Sequence, residues 1–204
     1  MSSAEPKANR RPLKSRSTRW AELVTRAALA TKISANQVSM AGIIVAGLGA
    51  WALVEAPFRP LLLVAAAVCI QLRLLANMID GMVAVEGGRG GPTGAIWNEF
   101  PDRIEDSLFL VAAGYAAALP WLGWLAALLA AICAYVRLLG GTLGQAQDFT
   151  GPMAKPHRMA ALTLGCILSL AWQPGIAVAL GAIAAGTLLT IFRRLARLSR
   201  AIRA

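Results

Sequence analysis

Acidic residues are scarce in this sequence, which has ten Asp and Glu against twenty Lys and Arg among 204 residues. Only 15% of the residues are charged, whereas about a quarter is usual for a soluble domain. There is one histidine, and Cys69, Cys133 and Cys166 stand alone in apolar stretches without the spacing of metal ligands. These absences argue against a soluble protein, a disulfide framework and a cysteine metal site.

Long apolar stretches dominate instead, because 57% of the residues are hydrophobic. A transmembrane helix needs roughly 20 predominantly apolar residues. The sequence therefore predicts an all-α integral membrane protein with six transmembrane helices. The predicted spans are 39–56, 60–79, 104–120, 122–140, 158–173 and 175–192. Tight Pro- and Gly-containing turns join them on one side of the membrane, and longer polar connections join them on the other.

Four segments follow from composition. Residues 1–16 are polar and basic and predict a disordered arm. Residues 17–32 place apolar side chains at helical spacing between charges, which predicts an amphipathic helix in the membrane interface. Residues 33–195 form the predicted six-helix membrane domain, and 196–204 a basic tail.

The cations predict the orientation of the chain. With six spans, both termini lie on one side of the membrane, and Arg59 is the one basic residue on the other. The positive-inside rule then puts both termini in the cytoplasm, and we expect a bacterial inner (plasma) membrane location. The net charge of +10 does not predict nucleic-acid binding, because basic flanks set topology and attract anionic lipid at about 1 kcal/mol each.

Six of the ten acidic residues fall between positions 80 and 106. Ionisable groups at a membrane boundary are costly, so this cluster is a candidate functional site. Asn77 and Asp80 are three residues apart, and Asn98, Asp102 and Asp106 are four apart, so each set shares one helix face. Their oxygens suit Mg²⁺, Mn²⁺ or Ca²⁺ rather than zinc.

A glycine-rich connection, residues 86–94, lies between these two sets. Such a loop lets the backbone approach a phosphate closely, although many glycine-rich loops are merely flexible. Gly81 and Ala84 leave little side-chain bulk after Asp80. Room for a ligand and close helix packing both explain such small residues.

At this point the sequence resembles the CDP-alcohol phosphotransferase family. The family signature is Asp, two residues, Asp-Gly, two residues, Ala-Arg, about eight residues, Gly, three residues, Asp, three residues, Asp. The matching positions here are Asn77, Asp80, Gly81, Ala84, Val85, Gly94, Asn98 and Asp102. The spacing agrees throughout. The identities differ at three positions, where Asn77 and Asn98 replace acids and Val85 replaces the arginine.

Further stretches extend the resemblance over about residues 33–195. Residues 33–39 are similar to the start of the family's first span, and 135–137 to the end of its fourth. Residues 155–159 are similar to the basic start of its fifth span. Residues 102–106 look like the run found in members that transfer to inositol phosphate.

The resemblance implies transfer of a substituted phosphate from a CDP-linked lipid, such as CDP-diacylglycerol, to an alcohol or alcohol phosphate, with release of CMP. It implies Mg²⁺ or Mn²⁺ as cofactor, Asp102 as general base and a homodimer. The implied metal ligands are Asn77, Asp80, Asn98 and Asp102, with Asp106 compensating for lost charge. The implied nucleotide-binding residues are Asn36, Asp80, Gly81, Ala84 and Gly94. The implied phosphate-binding or acceptor-binding residues are Arg89, Arg137, Lys155 and Arg158.

Three hypotheses follow for function. The first is an active phosphotransferase of phospholipid synthesis with a rearranged site. The second is a catalytically silent member that acts as a membrane binding protein or scaffold, since two amides in place of carboxylates weaken metal binding. The third is a transporter, which is disfavoured because the acids cluster at one membrane face. His157, in the basic loop, is interpreted as a surface residue. The sequence leaves the acceptor alcohol open.

Overall fold

The structure is a computed structural model that describes residues 34–86 and 94–203. Every regular element in these two ranges is an α-helix. The helices are α1 Ala35–Glu55, α2 Leu62–Glu86, α3 Gly94–Ala116, α4 Pro120–Thr142, α5 Lys155–Leu168 and α6 Gly175–Arg203. The predicted arm at 1–16, the predicted interfacial helix at 17–32 and the loop containing Arg89 lie outside the described residues.

Local sequence signals explain where several helices begin. Ser34 and Gln37 form a capping box at the start of α1, with Ser34 Oγ accepting from the Gln37 amide at 3.3 Å. In return Gln37 Oε1 accepts from the Ser34 amide at 2.9 Å, so two free helix N–H groups are satisfied. Proline occupies a first-turn position in both α4 and α5, where its missing N–H is not needed.

Four of the six helices are long and apolar enough to cross a membrane, namely α1, α2, α4 and α6. The chain is thus a multi-pass membrane protein. Helix α5 has 14 residues and ends at Leu168, which gives a length of about 21 Å against a hydrocarbon core of about 30 Å. Helix α3 carries several charges and Pro101 in its first half. The predicted spans 104–120 and 158–173 are therefore helical but are not among these four.

The helices continue beyond the predicted spans into polar segments of the chain. Helix α2 runs to Glu86 and α3 begins at Gly94, so most of the polar connection predicted at 80–103 is helical. Helix α6 extends through the basic residues to Arg203.

The core of the bundle consists in equal parts of alanine and of larger apolar side chains, such as Leu53, Ile70 and Phe109. Helix α1 packs against α2 and α3, α3 against α4, α4 against α6, and α5 against α2 and α6. Glycine allows the closest contacts, since a Cβ on Gly114 would lie 2.7 Å from the Gly123 Cα. This packing brings the start of α1, the end of α2, the first half of α3 and the start of α5 to one end of the bundle.

Candidate functional site

Charged side chains from α2, α3 and α5 meet at this end of the bundle, and we term them the ion-pair cluster. Its members are Arg73, Asp102, Arg103, Glu105, Asp106, Lys155 and Arg158. Arg73 lies at its centre and is fully buried. Its Nη2 lies 2.9 Å from Asp102 Oδ1 and 3.4 Å from Asp106 Oδ1, and its Nε donates to Glu105.

Asp102, the residue implied as general base, has cations at both carboxylate oxygens. Arg73 binds Oδ1, while Lys155 and Arg103 both lie at Oδ2, with Arg103 Nη2 at 3.5 Å. Burial, and after it the nearby charge of Arg73, lowers the pKa of Lys155 to about 8, against the opposing effect of Asp102 and Asp106. Accepting a proton from a bound alcohol at Asp102 therefore requires one of these ion pairs to open.

Asp106 is bound in the same way. Arg158 Nη2 lies 3.2 Å from its Oδ2, and Arg73 approaches its Oδ1. Arg158 also donates to the Met153 carbonyl at 3.1 Å, which connects the cluster to the segment before α5. The side chain expected to compensate for the missing metal-binding charge thus contacts two cations of the chain.

Asp80 lies to one side of the ion-pair cluster, near the end of α2. It is buried, and its Oδ2 accepts a hydrogen bond from Ser39 Oγ of α1 at 3.0 Å. Asn77 is half-buried one turn earlier on α2, and Asn36 is half-buried one turn before Ser39 on α1. The start of α1 therefore faces the part of α2 where the resemblance implies nucleotide binding.

The remaining nucleotide-binding and metal positions are located by backbone. Gly81 and Ala84 lie in the last turns of α2, and Gly94 and Asn98 in the first turns of α3. The first part of the signature, residues 77–85, is thus at the end of α2, and the second part, residues 94–102, is at the start of α3. Both of these helix ends lie at the same end of the bundle. A Cβ at Gly94 would meet no described atom within 4 Å.

Arg137 belongs to a second polar group. It pairs with Glu99, donates to Gln147 and stacks over the Phe149 ring at 5.0 Å. Of the residues implied to bind phosphate, Lys155 and Arg158 are in the ion-pair cluster, Arg137 is in this second group, and Arg89 is not described. His157, between Lys155 and Arg158 in sequence, is exposed.

The described donor set does not fit a divalent metal. Within 34–86 and 94–203, no three His, Cys, Asp or Glu side chains are grouped so as to hold a metal ion. All four carboxylate oxygens of Asp102 and Asp106 lie within 3.5 Å of a cation of the chain. A hard divalent ion needs oxygens free to coordinate it and an excess of negative charge. The ion-pair cluster instead contains three carboxylates and four cations.

Sequence reasoning missed the role of Arg73. The signal was present, because a charged residue inside the apolar stretch 60–79 needs a partner, and Glu105 and Asp106 lie in the facing stretch 104–120. Arg73 is also four residues before Asn77, on the same helix face. Ser39 carries no comparable signal, since its contact with Asp80 depends on how α1 packs.

Comparison with solved structures places this geometry in a known fold. The chain is similar to the Mycobacterium tuberculosis phosphatidylinositol phosphate synthase (PgsA1) with CDP-DAG bound, at a TM-score of 0.75 and 22% identity over 89% of this chain and 94% of that one. The chain has the fold of this synthase. The complex of the synthase with manganese and citrate matches at 0.73 and 22% identity, covering 86% and 87% of the two chains. Its apo form matches at 0.70 and 21% identity, covering 85% and 93%.

This likeness confirms, at the level of the fold, the predicted resemblance to CDP-alcohol phosphotransferases. No family profile and no curated protein matches the sequence. At this identity the likeness describes the architecture, and activity must be argued from the site.

Proposed function

We propose that this chain transfers a substituted phosphate from a CDP-linked lipid to an alcohol, with release of CMP. The observation that carries the proposal is the convergence of Asp80 on α2, Asp102 on α3 and Lys155 on α5 at one end of a bundle with the synthase fold. CDP-diacylglycerol is the expected donor, because the M. tuberculosis synthase of the same fold has CDP-DAG bound.

The reaction forms one phosphorus–oxygen bond and breaks another. The alcohol oxygen attacks the lipid-bearing phosphorus of the donor, and the bond to the CMP phosphate breaks, so that CMP leaves with the bonding electron pair. The alcohol proton passes to the Asp102 carboxylate once its contact with Lys155 opens. Lys155, Arg73 and Arg158 provide positive charge that lowers the energy of the phosphate oxygens in the transition state.

The membrane arrangement belongs to the same proposal. All six helices would cross the bilayer, with α3 and α5 protected by the more apolar helices α1, α2, α4 and α6 from direct exposure of their charges to lipid. Both termini and the site would then face the cytoplasm of a bacterial inner membrane. We further propose a homodimer, a small alcohol or alcohol phosphate as acceptor, and no nucleic-acid partner.

A second candidate is a silent family member that binds a nucleotide lipid, or a protein as a scaffold, without turnover. Two observations favour it. Asn77 and Asn98 replace acids of the signature. In addition, both oxygens of Asp102 are held by cations. A carboxylate held in this way is less available to an incoming alcohol.

Release of CMP by the purified protein in detergent separates the two candidates. The assay supplies CDP-diacylglycerol with a panel of acceptors, such as inositol phosphate, glycerol phosphate and serine, with and without Mg²⁺ or Mn²⁺. The proposal expects release that requires one acceptor and is lost in Asp102→Asn. The matched control is Glu55→Gln, a carboxylate change at the opposite end of α1, which should keep the wild-type rate. A folded protein that binds the donor and releases no CMP with any acceptor would favour the second candidate.

A further inference from the structure

We propose that cations of the chain, Arg73 and Lys155 above all, take the place of the divalent metal that the resemblance implies. The site then binds the diphosphate of its ligand without a metal ion. The part that concerns the diphosphate rests on the proposed function. The part that concerns the metal rests on the ion-pair cluster alone and is tested without turnover.

The first argument for this substitution of a metal is the position of Arg73 on α2. It lies four residues before Asn77 and seven before Asp80 on α2, so all three residues share one helix face. The guanidinium reaches across to Asp102 of α3 at 2.9 Å. A cation of the chain therefore lies between the two helices whose signature residues would otherwise converge on a metal.

The second argument is the balance of charges within the ion-pair cluster. Three carboxylates in the ion-pair cluster face four cations, which is a formal charge of +1. Even with the carboxylate of Asp80 beside it, this group has no excess of negative charge, so a divalent ion that entered it would have to displace a cation from Asp102 or Asp106. Asn77 and Asn98 also lower the negative charge available to a metal, because they are amides at positions where the family signature has carboxylates.

The third step concerns the ligand. Arg73 Nη1 is buried and has no hydrogen-bond partner among the described residues. The Lys155 ammonium is an additional donor beside it, at the opposite oxygen of Asp102. Guanidinium and ammonium groups both bind phosphate oxygens. When a diphosphate enters and the Asp102 ion pairs open, these donors are in place to neutralise it.

Direct measurement of Mn²⁺ binding by electron paramagnetic resonance tests the metal part. The free aquo ion gives a signal that disappears on binding, so occupancy is read without any activity. The purified protein in detergent is expected to bind no Mn²⁺ up to about 1 mM, the weak limit of protein cation sites. The M. tuberculosis synthase, whose structure contains manganese, is the positive control. Tighter binding that is lost in Asp102→Asn and kept in Glu55→Gln would overturn the inference.

Variants that restore the missing acids test why the metal is excluded. Asn77→Asp/Asn98→Asp returns two carboxylates, and adding Lys155→Gln removes one of the two cations at Asp102 Oδ2. The triple variant is expected to bind Mn²⁺ about tenfold more tightly than the double variant, because five carboxylates then face three cations rather than four. Lys155 is chosen because Arg73 is more deeply buried and its loss threatens folding. Equal Mn²⁺ affinities of the double and the triple variant, with helix content and gel-filtration elution volume unchanged, would overturn the role given to Lys155.

The activity assay tests the ligand part separately. CMP release is expected to be unchanged, within about twofold, when EDTA removes divalent ions, because the chain supplies the positive charge. Release that is lost with EDTA and recovered with Mn²⁺ would overturn the inference. No release under either condition would count against the proposed function, and the Mn²⁺ measurement would then decide the metal part alone.

Discussion

Helix α3 is held in the bundle by two different kinds of contact along its length. In its first half, Asp102, Glu105 and Asp106 bind cations of α2 and α5. In its second half, Phe109 is fully buried in the apolar core, and Gly114 lies against the backbone of α4. The same helix therefore depends on ion pairs at one end and on close packing of small and apolar residues at the other.

The two halves differ in what they contribute to stability. Apolar packing stabilises a fold directly, whereas buried ion pairs must first overcome the desolvation of each charge. Replacement of such pairs by apolar residues is often neutral or stabilising in other proteins. The charged half of α3 is therefore poorly explained by stability alone, which supports a role for it in ligand binding.

The largest expected effect comes from Arg73→Leu, in the charged half. Removing the central cation takes away the arginine that pairs with the buried carboxylate of Glu105 and one of the two arginines that pair with Asp106. The free energy of unfolding should fall by about 3–5 kcal/mol, the usual cost of breaking a buried pair from one side. Unfolding in SDS–detergent mixtures measures it. The double variant Arg73→Leu/Glu105→Gln should recover part of the loss. A loss below about 1 kcal/mol for the single variant would contradict the central position of Arg73.

Sequence alone predicted the helical architecture, because that depends on local pattern. Apolar length and the spacing of Asn77, Asp80 and Asp102 are visible in the chain. The short length of α5 was not predicted, because the apolar stretch continues past Leu168 while the helix ends there. The ion pairs were not predicted either. Which cation reaches which acid depends on helix rotation and on glycines such as Gly42, and neither follows from hydropathy.

Gly49→Ala tests the packed half. A Cβ at Gly49 would lie 2.5 Å from the Phe109 ring and 2.7 Å from the Cys69 Cβ, so the α1–α3 contact would have to widen. The expected loss of unfolding free energy is about 1–3 kcal/mol, the usual cost of overpacking. Gly47→Ala is the matched control two residues away, where a Cβ would meet none of the described atoms within 4 Å. It should be neutral or stabilise by up to about 1 kcal/mol, as alanine favours helix. Equal effects of the two changes would contradict the packing.

Gly42→Ala applies the same change to the charged half. A Cβ there would lie 2.5 Å from Glu105 Oε1, so the carboxylate would be pushed against Arg73. The loss should be about 1 kcal/mol, smaller than at Gly49, because a side-chain end moves more easily than a ring packed in the core. A double-mutant cycle with Glu105→Ala isolates this contact. If the effect of Gly42→Ala persisted after truncation of Glu105, its cause would lie in the α1 backbone.

The smallest expected effect is that of Arg103→Gln, which tests whether the charged half behaves as separate pairs or as one unit. Arg103 is 25% exposed, and its Nη2 lies 3.5 Å from Asp102 Oδ2, where Lys155 remains as a partner. Partly solvated pairs contribute little, so the change should lower the unfolding free energy by less than about 0.5 kcal/mol, and the effect should shrink in high salt. Arg158→Gln, which removes a buried partner of Asp106, is the matched comparison and should lower it several-fold more. Equal losses from these two changes would mean that the ion pairs are coupled throughout, in which case the first half of α3 responds to any lost cation as a single network.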